Sequence, residues 1–190
     1  MRTPARAVGR TQIPAAAVAT AAADGGRRYP EHSAADGRLL FHGFMANWPT
    51  GVTVLTTQVG AELFGCTAQS LMSVSLEPPQ LVVALAETSR TLAGLLRSGV
   101  FGLSILRAGQ DELGRRFSVG AAQDRFRGTP VRTVHGVPLL TDAAATMVCR
   151  LGETWHRADH VLVIGLPLWQ DLDQTADVLL RHRSAYRPLD

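Results

Sequence analysis

FMANWPTGVTVLTTQVGAELFGCTAQSLMSVSLEPP, residues 44–79, is the stretch whose reading decides the fold. It opens on a turn, Pro49-Thr50-Gly51, that feeds a largely β-branched run, Val52-Thr53-Val54-Leu55-Thr56-Thr57. Gly60 then turns the chain into a second apolar run, Leu63 to Ala68. Residues of this kind are stiff at the first side-chain torsion and suit a pleated surface, so adjacent strands are predicted at 52–58 and 62–68. Small hydroxyl residues follow, Thr67, Ser70, Ser73 and Ser75, up to the rigid pair Pro78-Pro79. Two strands with a polar, backbone-rich loop beside them can hold a planar, phosphate-bearing ligand through N–H groups and hydroxyls.

Working outward, Asp36 is placed to cap a helix whose apolar positions are Leu39, Leu40, Phe44 and Trp48, and Pro49 stops it. On the other side, QLVVALA at 80–86 is a near-continuous apolar run, the mark of a strand buried on both faces. Thr88 or Ser89 caps a helix through Leu92, Leu95 and Leu96 that ends at Gly99. A strand is expected at 100–107, and a short helix over Gln110–Phe117 with acids at its start and Arg115-Arg116 at its end, complementing the helix dipole. Residues 118–138 read as loop, 143–154 and 160–168 as strands, 171–177 as a polar connection and 178–182 as a last strand or helical turn. Strands follow one another more often than they alternate with helices. The expected fold class is therefore mainly β with peripheral α: an antiparallel sheet closed as a barrel with helices outside.

The chain has 190 residues, 46% of them hydrophobic, enough for one domain with a core plus a tail. Residues 1–35, rich in Ala, Arg, Gly and Pro, read as a disordered tail, and 36–190 as the folded domain. The formal net charge of +3 is misleading, because residues 1–30 hold five Arg against one acid, while the remaining 160 hold 14 Arg against 15 acids. The basic excess therefore lies in the tail and not in a stripe on the fold, which argues against a nucleic-acid partner. No run approaches the roughly 20 apolar residues of a membrane span, and a cytoplasmic location is expected. Every basic residue other than histidine is Arg and none is Lys, which excludes a Schiff-base or P-loop lysine. Cys66 and Cys149 have no zinc-site spacing and read as buried free thiols.

No HExxH, GxSxG, CxxC or close carboxylate pair is present, and no metal site is expected. The signal lies in ordered blocks: PTGVTVLTT, CTAQSLMSVSLEPPQLVVAL, SRTLAGLLRSGVFGLSIL, ELGRRFS, DRF and ADHVLVIG. Together these resemble the short-chain flavin reductases, the reductase partners of two-component flavin monooxygenases, over about residues 38–187. The resemblance implies a split β-barrel that binds FMN or FAD, usually as a homodimer with flavin near the subunit interface.

It also implies site residues. Thr50, Gly51 and Val52 match the first flavin-side turn, where Gly lets backbone approach a flat ring. Thr67, Ala68, Gln69 and Ser70 with Ser73, Val74 and Ser75 match the ring- and phosphate-side loop. Ser89, Arg90 and Thr91 match the block that meets the flavin phosphate, and Arg125-Phe126 another flavin-proximal block. His160, in Ala158-Asp159-His160, matches a family histidine near flavin and nicotinamide, as the catalytic-site residue that positions the nicotinamide. Tyr186 is retained from a C-terminal block in which Arg181 and Ser184 replace a Tyr and a Gly; Gln69 stands where similar proteins commonly carry Asn. Taken alone, each feature has a plainer reading: a hairpin turn, a loop satisfying its own backbone, a helix cap, a structural histidine.

The activity implied is NAD(P)H:flavin oxidoreduction: hydride passes from NADH or NADPH to FMN or FAD, and reduced flavin goes to a separate monooxygenase. The alternatives are a flavin-binding barrel without nicotinamide turnover, motivated by Gln69, Arg181 and Ser184, and a barrel reused for non-redox chemistry on an aromatic or polyketide-like substrate.

Overall fold

The computed structural model describes residues 34–189. The chain divides into two compact units at Phe41/His42. The tail expected over residues 1–35 lies, except for its last two residues, outside the described part. Ala34 and Ala35 already belong to helix α1 (Ala34–Ala46), so Asp36 sits in its first turn and not ahead of it as a cap.

The second unit, His42–Asp190, is mainly β with peripheral helices, as expected. Its strands are β1 (Thr50–Gly51), β2 (Thr53–Val59), β3 (Glu62–Ala68), β4 (Met72–Leu76), β5 (Pro79–Ala86), β6 (Val100–Ile105), β7 (Val131–Val134), β8 (Val137–Leu140), β9 (Ala145–Arg157), β10 (His160–Leu172), β11 (Leu179–His182) and β12 (Ala185–Pro188). Two helices accompany them, α2 (Arg90–Ser98) and α3 (Asp111–Val119). Seven strands form one antiparallel sheet in the order β3-β2-β6-β9-β10-β5-β4; β1, β11 and β12 form a second sheet, and β7 and β8 a hairpin.

The closed barrel expected from the strand pattern needs one amendment. Among the described residues the end strands β3 and β4 share no ladder. The sheet instead curls so that Ala68 of β3 shares a core with Leu81 and Val83 of β5. At that seam the Ser70 hydroxyl donates to the Ala84 carbonyl at 2.8 Å and accepts from the Ala84 amide at 3.0 Å, taking the place of a neighbouring strand.

Three apolar clusters fill the interior. One gathers Leu55, Val83, Leu95, Phe101 and Val163 between the sheet and α2. A second gathers Val52, Val54, Leu106 and Phe117 under α3. A third, Val137, Leu139 and Val148, lies beneath the β7–β8 hairpin. Each fully buried side chain of this kind contributes about 1.5–3 kcal/mol. Burial, and not surface charge, therefore holds α2 and α3 in place.

Helix α2 starts at Ser89, whose hydroxyl accepts from the Leu92 amide at 3.3 Å, and ends at Gly99 in the left-handed region (φ 71°). That decides between the two candidate caps. QLVVALA is half-sided and not doubly buried: Leu81, Val83 and Leu85 face the core while the residues between them are half-covered. The loop expected over 118–138 gives way at its end to the β7–β8 hairpin, turned by His135 (φ 50°) and Gly136 (φ 75°). Strands β9 and β10 run longer than expected, to Arg157 and Leu172. Among the described residues no helix is long and apolar enough to cross a membrane.

Candidate functional site

Strand β3 organises the site, because three groups from elsewhere converge along it. The Arg125 guanidinium donates to the Gly65 carbonyl from Nη1 at 2.6 Å and to the Gly120 carbonyl from Nε at 3.0 Å. The buried Thr91 side chain lies beside the Cys66 thiol. The Thr67 hydroxyl donates to the Gly114 carbonyl of α3 at 2.7 Å. Burial pushes the Cys66 thiol above its ordinary range, while the Thr91 side chain, the Arg125 charge and Ser89 act against it.

Between β3 and the start of α2 lies a cavity of about 300 Å³. Arg90, Thr91, Arg125 and Phe126 line it, opposite Glu62 and Gly65. Phe126 packs edge-on against Phe117 with ring centroids 5.1 Å apart. A side chain at Gly65 would press into that pair, its Cβ falling 2.7 Å from Phe117 and 2.9 Å from Phe126. The first-turn amides of α2 have no partner inside the helix. Guanidiniums, a hydroxyl, those amides and an aromatic edge are the donor set that suits a phosphate. Arg90 is also engaged by a carboxylate, with Nη2 2.9 Å from Glu62 Oε1.

At the far end of β3 a second cavity, also of about 300 Å³, is lined by Trp48, Gln69, Arg181, Arg183 and Ser184. The Thr50 hydroxyl approaches Gln69 Oε1 at 3.4 Å. Thr50 and Gly51 pair with Arg181 and Leu180, so β11 sets the floor beside this cavity. A Cβ at Gly51 would meet nothing within 4 Å, which leaves the backbone there open to a flat ligand. Tyr186 closes the region from β12, its ring centroid 4.6 Å from the Arg181 guanidinium carbon and 5.3 Å from that of Arg115.

His160 begins β10 opposite Ala86 of β5, two residues along from the Ala84 that Ser70 grips. Its Nδ1 lies 2.7 Å from Asp159 Oδ1. That hydrogen bond holds the Asp159 carboxyl below its ordinary range. With Nδ1 so occupied, the outer nitrogen, Nε2, is the one that can meet a ligand.

The predicted residues thus fall into groups. Arg90, Thr91 and Phe126 share the first cavity, with Ser89 beside them as the cap. Gln69 lines the second, and Thr50, Gly51 and Tyr186 adjoin its lining residues Gln69 and Arg181 without lining it themselves. Val52 and Ala68 are core residues; the Val52 amide and carbonyl are bonded to Leu179 and Leu106, so Val52 is closed to a ligand, and Ala68 can offer only its backbone. The Thr67 and Ser70 hydroxyls are spent on Gly114 and Ala84. Ser73 and Ser75 stand apart, on β4 in a groove of about 640 Å³ with Leu71, Leu76, Gln80 and Trp169; Val74 is exposed. Sequence reasoning missed Glu62, Trp48 and Arg183. Glu62 carries no local signal, since its meaning lies in a partner 28 positions away. Trp48 was read as the last apolar position of the first helix, yet it lies two residues beyond that helix and is 66% exposed.

Comparison with known proteins decides the family. Residues 45–190 match the flavin reductase like domain. The chain belongs to that family. It is 33% identical to the reductase component of 4-hydroxyphenylacetate 3-monooxygenase from Thermus thermophilus, over 76% of this chain and 92% of that protein. It is 32% identical to the NADH-dependent FMN reductase AsuE2 of Streptomyces nodosus subsp. asukaensis, over 80% and 85% of the two chains. Among solved structures it resembles the NADH:FAD oxidoreductase SgcE6 of Streptomyces globisporus in complex with NAD and FAD fragments, with a TM-score of 0.78, 26% identity, and 84% and 97% coverage. The fold is accordingly the split barrel of flavin reductases.

Proposed function

We propose that the chain is an NAD(P)H:flavin oxidoreductase that passes hydride from reduced nicotinamide to FMN or FAD and supplies reduced flavin to a separate monooxygenase. Family membership sets the reaction class. The observation that carries the site is the placement along β3 of an anion-suited cavity at one end and, at the other, one lined by Trp48, Gln69, Arg181 and Arg183. Their donors fit a flavin nucleotide.

When bound, the two cofactors supply a hydride and its acceptor ring; that chemistry is theirs. The chain's residues bind and orient. Arg90, Thr91 and Arg125 hold the phosphate end. Gln69, Thr50 and the backbone at Gly51 and Ala68 meet the ring and its polar edge. His160, its Nδ1 side fixed by Asp159, would have Nε2 free to position the nicotinamide. This division explains why no acid–base pair is needed: the task is to stack two rings with reacting atoms roughly 3–3.5 Å apart.

The catalytic unit in this reading is residues 36–190, acting in the cytoplasm as a homodimer. The exposed β4 edge with Met72, Val74 and Leu76 supports the dimer. The test is NADH and NADPH oxidation with added FMN or FAD. Consumption well above that by free flavin is expected. Flavin binding with background consumption would instead favour a flavin-binding barrel, the reading that Gln69, Arg181 and Ser184 motivate.

A further inference from the structure

We infer that Glu62 tunes how tightly the cavity between β3 and α2 retains a flavin phosphate, by competing with that phosphate for Arg90; the inference rests on the flavin reading above.

The two guanidiniums of the cavity are not equivalent. Arg125 is half-buried and committed to backbone, bonding the Gly65 and Gly120 carbonyls, so it is a fixed wall. Arg90 is held by a side chain alone, the Glu62 carboxylate at 2.9 Å, and the two side chains are 65% and 50% exposed. Water screens such a pair, which makes it weak and easily exchanged. A phosphate monoester carries a charge of about −1.5 to −2 and three acceptor oxygens, and matches the guanidinium fork better than one carboxylate oxygen does. Arg90 can therefore turn from Glu62 to the ligand. Glu62 then stays beside the phosphate as a like charge. Among the described residues that line this cavity it is the one carboxylate.

The consequence is an anion site with a built-in competitor. It lowers affinity for phosphorylated flavin selectively and leaves the ring contacts untouched. A protein that hands reduced flavin to another enzyme needs such exchangeable binding.

The experiment compares FMN with riboflavin, which has the same ring and no phosphate, on the full-length protein and its Glu62→Gln and Arg90→Gln variants. Dissociation constants come from quenching of flavin fluorescence, and KM values from NADH oxidation. Glu62→Gln is expected to raise the preference for FMN over riboflavin roughly three- to tenfold, with the gain shrinking as salt is added. Arg90→Gln is expected to lower that preference. Equal changes for FMN and riboflavin in Glu62→Gln, or weaker FMN binding, would overturn the inference. The two readings fail separately. A raised FMN preference in binding without any NADH oxidation would keep the role of Glu62 and remove the reductase. Intact turnover with an unchanged preference would do the reverse.

Discussion

Ser184 and Arg183 turn β11 into β12 with φ values of 60° and 47°, both in the left-handed region. An L-residue there costs on the order of 1–2 kcal/mol that Gly avoids. The turn persists because Arg183 is anchored: its amide donates to the Ala46 carbonyl at 2.7 Å and its Nε to Asn47 Oδ1 at 2.9 Å. Ser184→Gly should therefore stabilise the protein, by about 0.5–1 kcal/mol once the added freedom of the unfolded chain is deducted. Urea unfolding reads this directly, and a lower midpoint would show that the Ser side chain contributes more than its backbone costs. Asp173 offers a pH test. Its carboxylate accepts from the Thr175 hydroxyl at 2.6 Å, from Arg107 at 2.8 Å and from the Thr175 amide at 2.9 Å. These bonds, the Thr175 hydroxyl foremost, pull its pKa from 3.8 to about 2. A folded-state pKa below the unfolded one gives stability that is full above the unfolded value and lost as pH falls through the folded value. Asp173→Asn should lower the thermal midpoint at neutral pH and flatten its decline between pH 3.8 and about 2. An unchanged acid limb would contradict that.

Among the elements, α2 sets two effects against each other at Gly94. Alanine is the better helix former by about 1 kcal/mol. Yet a Cβ at Gly94 would fall 2.6 Å from Cγ of Phe64, at the base of a ring and not at a flexible tip. Overpacking of that kind costs typically 1–3 kcal/mol. Gly94→Ala should thus destabilise on balance, by about 1 kcal/mol, and a rise in the denaturation midpoint would show that α2 can slide on β3. Legibility followed the same line between local and distant causes. The β2 and β3 strands, the α2 limits and the long β9–β10 ribbon were readable because β-branched runs, a Ser cap and a Gly terminus act locally. The β4 strand was overlooked although Met72, Val74 and Leu76 alternate with Ser73 and Ser75; the hydroxyls drew the reading toward a loop. The β7–β8 hairpin was hidden by Pro130 and Pro138, and its His135-Gly136 turn was the missed signal. The ion pair of Glu62 with Arg90 had no local trace, because only the packing of α2 on β3 creates it.

For the β unit as a whole, β4 is an end strand of the seven-stranded sheet, and its Leu76 is 90% exposed. An exposed edge strand whose Met72, Val74 and Leu76 are apolar invites pairing with another copy. If the protein is the homodimer proposed above, Leu76→Glu should shift it to monomer in sedimentation; a variant that stays dimeric would place the interface elsewhere, and a monomeric parent protein would remove the dimer. The motif blocks marked Arg90, Thr91 and Phe126, which line one cavity, Gln69, which lines the other, and His160, which lines neither. What they left open was how the first four divide between two cavities on one strand, which depends on where α2 and β11 lie. The most direct test of the central claim is rapid mixing of the protein and FMN with NADH under anaerobic conditions, repeated with NADH deuterated at the transferring position. Bleaching of the flavin far faster than in free solution, slowed by deuterium and slower still in His160→Ala, is the expected result. Bleaching no faster than that of free FMN would contradict the reductase account.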